Sequence, residues 1–186
     1  MTCAVDGCMQ NKGFTLVEVL VALAVLCVAA LGGIQLVAAA TEMTSRAGVL
    51  STGAALAASR MEQLRALQFE FDLNRLRLTD VATDLAADPP AAGGPGLTPS
   101  GAGSLDTNTP GYVDFADAHG ASLGGGASPP PGAVFVRRWS IEPVAASSDL
   151  ILLQVLVRPL ADGTPGPGQR GAREVRLVTM RARTLP

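Results

Sequence analysis

From Val19 to Thr41 the chain carries no charged side chain. The run is 23 residues long, which as a helix rising about 1.5 Å per residue extends roughly 35 Å. A hydrocarbon core about 30 Å thick is spanned by such a segment. No other stretch constrains the fold as strongly, because an apolar surface of this length has to lie in lipid or against other chains. One carboxylate, Glu18, stands directly in front of it. An ionisable group in such a segment is costly and by default marks function, so a cationic partner is expected. A cut after Gly13 would supply one, the α-amino group of Phe14, four residues before Glu18. In a helical lattice of such chains each Glu18 could pair with a neighbour's amino terminus, neutralising both charges.

Lys12-Gly13-Phe14-Thr15-Leu16-Val17-Glu18-Val19-Leu20-Val21-Ala22-Leu23 resembles the processing and methylation signature of type IV prepilins and type II secretion pseudopilins. The resemblance implies a prepilin peptidase that cuts on the cytoplasmic side after Gly13 and N-methylates Phe14. It gives Glu18 a role in subunit recruitment and register. It also implies a precursor crossing the inner membrane once, with its carboxy-terminal domain in the periplasm, that later enters a pilus or pseudopilus and reaches the cell surface. The implied partners are the peptidase, other minor and major pilins or pseudopilins, and the inner-membrane assembly platform, with no cofactor. Glycine, aromatic residue, Thr-Leu, Glu and long apolar run occur together in order, over about the first third of the chain; the remainder resembles the family only in layout. Within the family, Arg60-Met61-Glu62-Gln63-Leu64-Arg65 and Arg137-Arg138-Trp139 look most like the PilV type of minor pilin, with the I-type pseudopilin next. Residues 1–13 read as the leader, and the stretch from Met9 alone would suffice for one.

A different class of function competes with this. Ala38-Ala39-Ala40 fits a small-x-small signal-peptidase site, and cleavage after Ala40 would release a secreted adhesive or nucleic-acid-binding module. Against it, the positive region is a single Lys12, Glu18 interrupts the apolar region, and the run is longer than a signal peptide needs.

The rest of the chain reads as one domain behind the anchor. Residues 14–41 form the transmembrane and assembly helix, and residues 42–87 its amphipathic continuation and a connecting segment. Met43, Ala47, Leu50, Ala54, Ala57, Met61 and Leu64 recur at spacings of four and three, which predicts one apolar stripe. Gly32-Gly33 is a weak point in the helix, serving either close packing or unwinding. Asp80 to Ala87 reads as a short helix capped by Asp80. Residues 88–132 contain 11 Gly and 8 Pro, a composition that cannot form a core and predicts a long loop, with a short strand at Tyr112–Phe115 and a turn at Asp117–Gly120. Residues 133–186 alternate as sheet. Phe135, Arg137, Trp139 and Ile141 share one strand face, and Ile151, Leu153, Val155 and Val157 another. The fold class is therefore α+β, a long helix with a membrane-spanning first half, packed on a small antiparallel meander.

Charge is divided unevenly. Residues 14–133 hold 11 acidic and 5 basic side chains, and residues 134–186 hold 8 Arg and 4 acids. The split predicts a partner-binding basic patch at Arg137, Arg138, Arg173 and Arg176 that meets acidic surface of a neighbouring subunit, with nucleic acid not expected. Catalytic chemistry is not expected either. The single His, His119, falls in a glycine-rich turn, where a base is not held in place. Cys3 and Cys8 precede the cut and Cys27 lies in the apolar run as a small hydrophobe, so the exported part has no internal disulfide. Asp106, Asn108, Gly111, Asp114 and Asp117 follow a calcium-loop spacing in part, but Pro110 stands at a ligand position, and no metal is expected.

Overall fold

A computed structural model of the chain describes residues 15–160 and 174–185. The protein divides into two compact units, one ending at Ser45 and the other beginning at Arg46. One helix, α1 (Leu16–Ala66), belongs to both. Thr15 caps it, its Oγ1 accepting a hydrogen bond from the Glu18 amide at 3.3 Å. Gly32-Gly33 stay helical, and a Cβ on either would meet nothing within 4 Å. From Leu16 to Gly48 every residue of α1 is exposed, Cys27 among them. The helix is long and apolar enough to cross a membrane, with an 18-residue window of mean hydropathy 2.6.

Past Arg46 the helix becomes one-sided. It buries Gly53, Leu56, Ala57, Arg60, Met61 and Leu64, with Val49 half-buried. The expected stripe is right at Ala57, Met61 and Leu64 and displaced before them, where Met43, Ala47, Leu50 and Ala54 are exposed. The reason is the approach of the sheet at Gly53, where a Cβ would lie 3.4 Å from Val175 Cγ2. A residue without a side chain can define a buried face while contributing nothing to an apolar pattern.

Two small hairpins follow. β1 (Phe69–Phe71) pairs antiparallel with β2 (Arg77–Thr79), and β3 (Thr83–Asp84) with β4 (Ala91–Ala92). The helix expected at Asp80–Ala87 is therefore absent. The Asp80 carboxylate accepts from the Ala82 amide at 3.1 Å and from Thr83 Oγ1 at 2.9 Å, folding the chain as a local Asx turn instead of starting a helix.

The main sheet is β5 (Val113–Ala116), β6 (Phe135–Val144), β7 (Ser147–Pro159) and β8 (Val175–Ala182), antiparallel and in chain order. This is the expected meander, with the short strand added at one edge. The β6–β7 turn is tighter than its composition suggests, since pairing continues to Val144 opposite Ser147. Pro143 is accommodated at a register shift, where its missing N–H is tolerated. The helix-facing side holds Phe135, Trp139, Ile141, Ile151, Leu153, Val155 and Val157 in one core with Leu56, Ala57, Met61, Leu64 and Leu85. The glycine- and proline-rich segment adds Leu97 and Tyr112 to this core, although its composition predicts no core contribution. Tyr112 Oη donates to the Thr98 carbonyl at 2.8 Å, so the loop is fastened by one of its few aromatic residues. The expected turn at Asp117–Gly120 forms, with His119 exposed in it.

Candidate functional site

The amino-terminal determinant comes first. Gly13 and Phe14 lie outside the described residues. Glu18 stands in the first turn of α1, exposed, where the helix dipole favours a negative charge. Among the described residues no cation pairs with it. Around it Leu16, Val17, Leu20 and Val21 are exposed. A carboxylate in this setting becomes costly once the surrounding apolar surface is covered, unless the covering body brings a positive charge.

In the second unit a buried ionic clasp holds helix to sheet. Asp114 on β5 stands directly across from Arg137 on β6, on the face opposite Val113 and Phe115. Arg137 Nε donates to Asp114 Oδ1 at 2.9 Å and Nη2 to Oδ2 at 2.5 Å, a two-pronged pair. From α1, Arg60 Nη2 donates to the same Oδ2 at 2.5 Å. Its Nη1 donates to the Leu85 carbonyl. The Arg60 guanidinium lies over Trp139, 4.6 Å from the ring centroid. Arg137 Nη1 returns to the helix, donating to the Leu56 carbonyl at 3.1 Å. Arg60 is 0 % and Asp114 1 % exposed, which excludes them from contact with a partner. Burial draws the Arg60 pKa down to about 10, opposed first by the charge of Asp114, so the group stays a cation at neutral pH.

Arginines at and just beyond the end of the last strand fasten the rest. Arg181 Nη1 donates to the Leu67 carbonyl at 2.5 Å and the Leu64 carbonyl at 3.4 Å, taking up acceptors that the end of α1 leaves open. Arg183 Nη1 donates to the Leu78 carbonyl at 2.5 Å, and its guanidinium lies 3.9 Å from the Phe69 ring centroid. Asp149 pairs with both Arg77 and Arg183.

The basic patch is thus rearranged. Arg137 and Arg138 are 4 % and 5 % exposed. Arg137 faces the helix within the clasp and offers no surface. Arg138 is on the other face, held by Asn108 Oδ1 at 3.0 Å from Nε and 2.8 Å from Nη2, and by the Leu105 carbonyl at 3.0 Å from Nη1. Arg173 lies outside the described residues. Arg176 is exposed on β8 and donates to Gln154 Oε1. Arg158, which sequence reasoning did not single out, joins Arg138 and Arg176 in lining a cleft of about 220 Å³ with Leu105, Asp106, Leu156 and Glu174. Burial, then the charge of Arg158, lowers the Arg138 pKa, with Asp106 and Glu174 opposing.

The partial calcium spacing is taken up by other contacts. Asp114 is inside the clasp, Asn108 is bound to Arg138, and Asp117 Oδ1 accepts the amides of His119 at 2.8 Å and Ala121 at 2.9 Å. Those backbone bonds, Ala121 foremost, hold the Asp117 carboxyl below the usual carboxylate range. Among the described residues no three His, Cys, Asp or Glu side chains converge to hold a metal. Sequence reasoning missed the clasp, yet signals for it were present. Arg60 is the lone charge between Ala57 and Met61 on the apolar stripe, and Val113-Asp114-Phe115 puts one acid between two buried strand residues.

Compared with models of known families, residues 8–34 match the prokaryotic N-terminal methylation motif. No curated protein and no solved structure matches the chain significantly.

Proposed function

We propose that the chain is a minor pilin or pseudopilin, a structural subunit of a type IV pilus or a type II secretion pseudopilus, a reading supported by the N-terminal methylation motif at residues 8–34. The prepilin peptidase cuts after Gly13 and methylates Phe14. The precursor waits in the inner membrane with residues beyond the span in the periplasm, then joins other pilins at the assembly platform. PilV-type priming or capping is the finer form of this reading, supported by the sequence around Arg60–Arg65 and Arg137-Arg138-Trp139. The observation that carries the proposal is the methylation motif leading into a helix, Leu16–Ala66, whose first part is exposed and apolar apart from Glu18. A helix of that kind in front of an α+β unit is suited to bundling with copies of itself, and head-to-tail contacts between such subunits propagate as an open helix.

Mass spectrometry of the mature chain tests it. The expected amino terminus is N-methylated Phe14, and Gly13→Ala should leave the leader in place. A mature chain beginning at Thr41 would instead establish secretion by signal peptidase and overturn the pilin reading.

A further inference from the structure

The two edges of the main sheet differ. The β5 edge is closed by its own loop. The Phe115 amide donates to the Gly124 carbonyl at 3.0 Å, the Leu123 amide to the Phe115 carbonyl at 2.8 Å, and Ala116 bridges Ser122. The β8 edge is open among the described residues. Among the described residues, only β7 hydrogen-bonds the backbone of Val175–Ala182, and pairing resumes on the far side only at Thr184, opposite Glu70. An open edge is a template for an added strand, which proteins usually guard with proline, bulges or charge. β8 has no proline and pairs with β7 without a register shift. At the centre of its solvent face are Val178 and Met180, 55 % and 60 % exposed.

Charge indicates what kind of strand fits. Arg176, on the same face of β8, also lines the cleft with Arg138 and Arg158. Arg138 is fixed by Asn108 and Leu105, and Arg176 by Gln154, so neither can turn away from the other cations. Arg158 is exposed, and its side chain makes no hydrogen bond or ion pair with a described residue. Three guanidinium groups around one small cleft favour an anion. Asp106 and Glu174 also line it, and they would oppose the successive phosphates of a nucleic acid more than one isolated carboxylate. A second copy's β8 suits the edge poorly, because Val175–Ala182 carries no carboxylate to offer the cleft, and antiparallel pairing would add the copy's own Arg176 to the same surface.

We propose that the free edge of β8 receives an extended segment of a different subunit, with apolar side chains over Val178 and Met180 and one carboxylate seated among Arg138, Arg158 and Arg176. The identity of the partner as a fibre subunit rests on the function proposed above. The edge and the cleft are properties of the chain alone, and their test is independent of how the amino terminus is processed.

The test uses the full chain in detergent and labelled synthetic peptides as long as β8. One alternates Val and Thr and carries Glu near one end. A second has Lys in place of that Glu, and a third is the Glu peptide with alternate backbone nitrogens methylated, so that one edge cannot donate. A single-stranded oligonucleotide is the fourth probe. The Glu peptide should bind, shift the amide resonances of Val175–Ala182, and bind at least about tenfold tighter than the Lys peptide. In Arg158→Glu/Arg176→Glu the preference should reverse, and methylation that blocks the paired edge should abolish binding. If the double variant does not fold, the peptide comparisons on the native chain still decide. Equal binding of the Glu and Lys peptides, undiminished binding of the methylated peptide, no peptide binding at millimolar concentration, or tight binding of the oligonucleotide alone would each overturn the proposal.

Discussion

Asp114 answers two buried guanidinium groups with one carboxylate, so its removal strands two cations where water cannot reach them. Breaking a buried pair by deleting one partner costs about 3–5 kcal/mol, largely from the charge left behind. Asp114→Asn should therefore lose about that much stability. Arg60→Met should lose less, because Arg137 still neutralises Asp114 and the Met side chain still packs on Trp139. Trp139 is the only tryptophan, so its fluorescence during urea unfolding reports the clasp directly. A surface ion group behaves differently. The Arg77 hydrogen bond, then its charge and the contact with Arg183, hold the Asp149 carboxyl below its ordinary value of 3.8. A depressed folded value means that the contribution is complete above 3.8 and disappears as pH falls through the lower folded value. Unfolding midpoints of the native chain and of Asp149→Asn should therefore differ near neutral pH and converge in acid. A constant gap would show that Asp149 acts by packing alone.

α1 is one helix by backbone and two by surface. Its first part is exposed and apolar apart from Glu18, whereas its second part is shaped by a single close approach. Gly53 sets that approach. An alanine Cβ there would rest 3.4 Å from Val175 Cγ2, which a small movement accommodates, and the helix gains about 1 kcal/mol in propensity over glycine. A leucine has no room, and overpacking of this kind costs about 1–3 kcal/mol. Gly53→Ala should therefore be neutral to stabilising and Gly53→Leu destabilising in the same urea titration. Equal effects would mean that the helix rides further from the sheet in solution. The carboxy-terminal end of α1 depends on the last strand, since Arg181 supplies donors that its final carbonyls otherwise lack.

At the scale of the whole molecule, the proposed function makes the exposed apolar half of α1 a surface for other subunits. On the function proposed above, Glu18 and the exposed apolar residues around it would gain their partner on assembly. Glu18→Ala should be cleaved nearly as well as the native chain yet co-purify poorly with fibres. Truncating one side of a buried charge pair costs about 2–5 kcal/mol. Equal incorporation would remove Glu18 from subunit register. The amino-terminal signal, the long helix, the α+β class and the β6–β8 meander were all legible from residue order. They rest on local rules: an uncharged run selects helix in lipid or in a bundle, and strict alternation selects a strand. The Asp80 turn was misread because a side-chain–backbone bond there competes with helix on nearly equal local terms. Tertiary structure alone decided what the arginines meet. Arg137, Arg138 and Arg176 look alike in the sequence, but β-strand parity points Arg137 into the clasp, while Arg138 and Arg176 line the outer cleft. Pairing partners far along the chain, Asp114 and Asn108, determine how the first two are used. Local pattern specifies which face a residue takes, and only the register between distant segments specifies what charge it meets there.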